Sequence, residues 1–133
     1  MTETIILVTG GFDPIHSGHI AYFKDAKKLG NKLVVGVNSD NWLITKKGSA
    51  FLPIQERMEI VSNLAVVDAA IEFEDDEYQS ASNAIQKVLE IYPDDKIIFA
   101  NGGDRNQANI PEMDKFVNNE RVSFEFGVGG DFK

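Results

Sequence analysis

Short apolar runs alternate with stretches of helical period along this chain, an alternation that predicts a parallel sheet flanked by helices. The first run, Thr4 to Thr9, is closed by Gly10 and Gly11 and reads as a strand. From Ser17 to Leu29 the apolar positions Ile20, Phe23, Ala26 and Leu29 recur at every third residue, so a helix is expected there, stopped by Gly30 and Asn31. Lys32 to Val37 reads as the second strand. Pro53 suits the first turn of a helix carrying Met58, Val61, Leu64 and Ala65, ahead of a short strand from Ala69 to Phe73. Ser80 is expected to cap a helix running to Tyr92, with Ala81, Ala84, Ile85, Val88 and Leu89 in one stripe and Pro93 at its end. Lys96 to Ala100 and Val122 to Phe126 complete the strands, with a short helix near Pro111 to Asn118 between them. Right-handed crossovers then favour a Rossmann-like, doubly wound α/β sheet of about five parallel strands, with ligands bound beyond the strands' carboxyl ends.

Length and composition narrow the possibilities. A chain of 133 residues, 43% hydrophobic and 26% charged, fits a single globular domain over residues 1–133. Thirteen basic against twenty-one acidic residues leave a net charge of −8, which would repel nucleic acid and anionic lipid, so neither is expected as a partner. An anionic ligand therefore needs a local site. Zero cysteines exclude disulfides, thiolate nucleophiles and sulfur-ligated zinc. With no apolar run long enough to span a bilayer, a soluble cytoplasmic protein is expected.

The chemistry collects in Gly10-Gly11-Phe12-Asp13-Pro14-Ile15-His16-Ser17-Gly18-His19, between the first strand and its helix. Gly10, Gly11 and Gly18 would let backbone N–H groups approach an anion, and the helix start adds partial positive charge at the same point. His16 and His19, the chain's only histidines, are three apart and would present two imidazoles to one phosphate from a single face. Zinc is the rival ligand, with Asp13 as a third donor, but a helical pair on zinc normally uses i, i+4 spacing, so no metal site is assigned.

The string resembles the His-x-Gly-His motif of the cytidylyltransferase-like nucleotidyltransferase superfamily, and the whole chain is most similar to its small glycerol-3-phosphate cytidylyltransferase branch. That resemblance implies attack by a substrate phosphate on the α-phosphorus of a nucleoside triphosphate, with pyrophosphate leaving. His16 and His19 would stabilise developing charge, most strongly if protonated, Asp13 would help shape the turn or steer nucleophile and metal, and Phe12 would join Gly10, Gly11 and Gly18 in binding nucleotide or substrate. One Mg²⁺ is expected, held mainly by triphosphate oxygens and water.

Between Asp40 and Arg57 the spacing resembles the family's segment with a phosphate-binding lysine followed by a Glu-Arg pair, here Glu56-Arg57. Lys46, or less well matched Lys47, on a loop after the second strand, would meet the triphosphate, and Arg57 would donate to phosphate oxygens. An ordinary solvated Lys-Lys-Gly loop is the competing reading. After the fourth strand, Asn101-Gly102-Gly103-Asp104-Arg105 matches a family Gly-Gly-Asp string: Gly103 gives close approach, Asp104 could bond ribose or base, and Arg105 phosphate, unless the segment is simply a tight turn. Glu112 reads as part of a helix start, Glu74 to Glu77 as a solvated loop, and Trp42 has no assigned role.

Two departures matter. No serine or threonine follows Ser123, so the chain is expected to lack the family's C-terminal Ser/Thr-rich segment. Ala65 stands where the glycerol-phosphate branch has arginine. The combined expectation is a homodimeric, Mg²⁺-dependent enzyme moving CMP from CTP to a small phosphorylated alcohol or sugar. The alternatives are an adenylyltransferase using ATP, or a nucleotide-binding module without turnover.

Overall fold

The computed structural model describes residues 2–102 and 110–129. Five strands, β1 (Thr4–Gly10), β2 (Lys32–Val37), β3 (Ala69–Glu72), β4 (Lys96–Ala100) and β5 (Val122–Glu125), form one sheet in the order β3-β2-β1-β4-β5. All four pairings are parallel; Ile5 lies opposite Lys32 on one side of β1 and Ile97 on the other. This is the Rossmann-like α/β architecture that the alternating runs predict.

Helices α1 (Ser17–Lys27), α2 (Asp40–Lys47), α3 (Ile54–Ser62), α4 (Ser82–Ile91) and α5 (Pro111–Lys115) connect the strands. Because strand side chains alternate, β1 feeds two cores at once. Ile5 and Leu7 join Val34, Ile97 and Phe99 against Ala84, Ile85, Val88 and Leu89 of α4 and Phe116 beyond α5. Ile6 and Val8 join Leu33 and Val35 against Phe23 and Ala26 of α1 and Val61 of α3. Ile5 through Val8 are fully buried, each such side chain contributing about 1.5–3 kcal/mol relative to exposure.

Most elements lie where the periodicity places them, with ends shifted by one to three residues. The exception is α2, in a segment read as loop. The Ser39 hydroxyl accepts from the Trp42 N–H at 3.0 Å, and Gly48, at φ 91°, closes the helix by donating to the Ile44 carbonyl. Eight residues with only Leu43 buried give too weak an apolar stripe to read as a helix, so the caps define it.

The start of α4 also differs. Ser80 is not the capping residue; Ala81 holds that position, and its N–H donates at 2.6 Å to the carboxylate of Glu112 from α5. Ser80 instead bonds the Asp76 carboxylate and the Ser82 N–H. No helix among the described residues is long and apolar enough to cross a membrane.

Candidate active site

The sheet order reverses beside β1: the chain moves outward through β2 and β3, then returns to place β4 on the other flank. Connections leaving β1 and β4 diverge, opening a crevice at their carboxyl ends. A cleft of about 460 Å³ lies there, lined by Gly10, Gly11, Phe12, His19, Trp42, Lys46, Asn101, Gly102 and Glu112 among others.

The β1–α1 hairpin is built around a ring. Phe12 takes φ 52° and turns inward to pack edge-on against Phe23 and His19, with centroids 5.3 and 5.2 Å away. A Cβ on Gly10 would lie 2.8 Å from that ring, and one on Gly11 would lie 2.6 Å from a Leu43 methyl. Both glycines therefore let Phe12 and α2 close over the strand end, in addition to lining the cleft.

His16 and His19 share one helix start in a capping box. His16 is the N-cap of α1: its Nδ1 accepts from the Gly18 N–H at 3.0 Å, while Nδ1 of His19 accepts from the His16 N–H at 3.1 Å. The rings stack with centroids 3.9 Å apart. An Nδ1 that accepts places the proton of a neutral imidazole on Nε2, so both rings keep an Nε2–H donor for a ligand. Gly18 contributes its N–H to this cap rather than to the cleft. His19 lines the cleft and His16 is exposed beside it.

Burial, and then the positive charge His16 would carry, lowers the His19 pKa from 6.5 to about 4. The ligand-free ring is thus neutral at pH 7. Protonation, which would strengthen its hydrogen bonding, is opposed at His19 in this state by partial burial and by the neighbouring His16 charge.

Asp13 faces away from solvent and fastens the next segment. Its carboxylate accepts from the Phe51 and Leu52 N–H groups at 2.5 and 2.6 Å and from Lys47 at 3.0 Å. Desolvation acts to raise its pKa, but these donors outweigh it and hold the group below the usual carboxylate value. Asp13 therefore shapes the turn; its oxygens serve protein donors.

Arg57 is 1% exposed. Nε donates to the Leu52 carbonyl at 2.9 Å, Nη1 to the Gly11 and Asn38 carbonyls at 2.8 and 2.6 Å, and Nη2 to Asp40 at 2.7 Å. Four of five N–H groups are engaged this way. The expected phosphate donor is instead a brace joining the hairpin, the end of β2 and the start of α2.

The adjacent lysines of α2 part company. Lys47 Nζ reaches both the carboxylate and the carbonyl of Asp13 at 3.0 Å. Lys46 lines the cleft, its Nζ 4.9 Å from the Trp42 ring centroid. Gly103, Asp104 and Arg105 lie outside the described residues, whereas Asn101 and Gly102 line the cleft wall.

Sequence reading missed Tyr22, Asn38, Trp42, Gln79 and Glu112 as lining residues. Only Trp42 carried a local signal, its i, i+4 spacing to Lys46 between the Ser39 and Gly48 caps. Among the described residues no group of three or more His, Asp or Glu side chains is placed to hold a metal ion.

A parallel switch-point cleft with a paired-histidine helix start has the groups to bind a phosphate-bearing ligand, as the motif's resemblance implies. The cytidylyltransferase-like family model matches residues 7–122, and the chain belongs to that family. It is 42% identical over 110 residues, 81% of its length, to the bifunctional protein HldE of Blochmanniella floridana, covering 21% of that protein. To the HldE of Photorhabdus laumondii it is 32% identical over 133 residues, 98% of this chain and 24% of the relative. It thus spans about a quarter or less of these curated relatives. Among solved structures, the lipopolysaccharide core biosynthesis protein of Thermoplasma volcanium is similar at TM-score 0.69 and 27% identity, with 93% of each chain covered.

Proposed function

We propose that this domain transfers a nucleoside monophosphate, CMP from CTP, to a small phosphorylated alcohol or sugar. An oxygen of the acceptor phosphate bonds to the α-phosphorus, the bond from that phosphorus to the bridging β-phosphate oxygen breaks, and pyrophosphate leaves. The observation that carries the reading is the capping box: both Nδ1 atoms are held by backbone N–H groups, leaving two Nε2–H donors on neighbouring rings at the cleft.

Such donors are fixed before substrate arrives and strengthen their bonds as charge builds on the phosphoryl oxygens, which is the condition for lowering the barrier. An incoming triphosphate places negative charge beside His19 and raises its pKa from about 4, favouring the charged donor when the ligand is bound. Lys46 supplies a cation from the opposite wall, and Gly10 and Gly11 leave room for close backbone approach. The described cleft lining has a single carboxylate, Glu112, which bonds the Ala81 N–H. That donor set does not suit a protein-held ion, so magnesium enters as part of the metal–nucleotide substrate. The active assembly is a homodimer.

The test is a matrix of CTP, ATP, GTP and UTP, each with magnesium, against phosphorylated polyols and sugars, read by pyrophosphate release. CTP-dependent release with at least one acceptor is expected. Release with ATP alone would make the domain an adenylyltransferase, and triphosphate binding with no release from any pair would make it a binding module.

A further inference from the structure

We propose that Trp42 is a positioning residue whose indole face seats the Lys46 ammonium and holds that cation over the cleft for a polyphosphate. The inference rests on the reading of Lys46 as a triphosphate-binding cation.

Trp42 and Lys46 are four apart on α2, so their side chains share one face of the helix. Lys46 Nζ stands 4.9 Å from the indole centroid, within the range at which an ammonium is drawn to the negative face of the ring. The ring is itself held: Nε1–H donates to the Gln79 carbonyl at 3.2 Å, and its Cζ3 lies 3.4 Å from where a Gly11 Cβ would be. The seat is thus tied to the far wall of the cleft by Gln79 and rests on the glycine hairpin. Both residues line the cleft.

Lys47 provides the contrast within the same helix. Its ammonium is paired with the buried carboxylate of Asp13, which a phosphate would have to displace. An uncharged ring confines Lys46 without neutralising it, so the charge stays available and less side-chain freedom is lost on binding. The contact is weak enough to be surrendered to a phosphate oxygen.

Magnesium tripolyphosphate is the probe, because it carries the polyphosphate charge without a base, and its dissociation constant is read by calorimetry on the full chain. Lys46→Ala should weaken binding about tenfold, the effect of one lost charge-assisted bond. Trp42→Leu should weaken it about two- to fivefold, while Trp42→Phe, which keeps an aromatic face, stays within about twofold of the parent. The Lys46→Ala/Trp42→Leu double variant should bind no more weakly than Lys46→Ala alone.

Equal losses in the Leu and Phe variants, or additive losses in the double variant, would make Trp42 mere packing and overturn the proposal. If Lys46→Ala weakens binding but Trp42→Leu does not, the seat fails while the reading of Lys46 stands. If Lys46→Ala binds as the parent does, both fall. Trp42 is the sole tryptophan, so ligand-free emission reads the contact even if a Trp42 variant folds poorly. Lys46→Met should change that emission, and an unchanged spectrum would overturn the seat.

Discussion

The two walls of the cleft hold their functional groups in opposite ways. On the β1–α1 hairpin the imidazoles are fixed through the backbone: His16 and His19 close a capping box, and each ring keeps one donor for a ligand. On the segment from Ser39 to Arg57, Lys46 extends from an exposed helix and rests on a ring face, while Lys47 and Arg57 are bound to the hairpin. Groups that must meet charge as it develops profit from rigidity. A group that first captures a solvated anion profits from reach. Asp13 and Arg57 link the two behaviours, one sending its carboxylate across to Phe51 and Leu52, the other its guanidinium back to Gly11.

Breaking that link should have the largest effect. Arg57→Met leaves the Gly11, Asn38 and Leu52 carbonyls without their donor and Asp40 without its partner, so a loss of about 3–5 kcal/mol in urea denaturation is expected. A loss under about 1 kcal/mol would show that the walls stand independently.

Next come the histidines. His19→Ala should lower kcat about 10²–10³-fold with a much smaller change in triphosphate dissociation constant, because its bond strengthens in the transition state. His16→Asn separates chemistry from capping. Asparagine caps a helix well, so stability should stay within about 0.5 kcal/mol of the parent while kcat falls about 10²-fold. Equal losses in binding and turnover for either variant would count against a transition-state role.

Acid provides the sharpest test. With the folded-state pKa of His19 lowered to about 4, the unfolded chain binds more protons between there and 6.5. Unfolding free energy should therefore fall as pH is lowered through that window. Asp13, also held below its ordinary value, adds a further loss at still lower pH as it protonates. His19→Gln should flatten the upper window alone. A proton NMR titration should place the free His19 near 4 and move it upward on adding magnesium tripolyphosphate.

The same contrast separates what was legible from what was not. The central strands β1 and β2 were plain because each is a run buried on both faces, and helices α1, α3 and α4 follow from an apolar stripe at helical spacing. The string from Gly10 to His19 pointed to a phosphate site because glycines and paired histidines have few other reasons to meet at a strand end, and its resemblance to the family motif implied the reaction. Helix α2 was hidden, since Leu43 is its only buried residue and its caps at Ser39 and Gly48 are short-range signals. Glu112 was equally hidden, because its partner, the Ala81 N–H, lies 31 residues away.

Local pattern by itself determined the layer architecture, the position of the cleft and the paired imidazoles, since those depend on periodicity and on neighbours within one turn. Tertiary structure decided which cations are available. Arg57 and Lys47 carry the same charge as Lys46, but contacts over 46 and 34 residues commit them to Gly11 and Asp13. A charge is useful to a ligand only where the fold has not already satisfied it, and satisfaction depends on partners that no local spacing reveals.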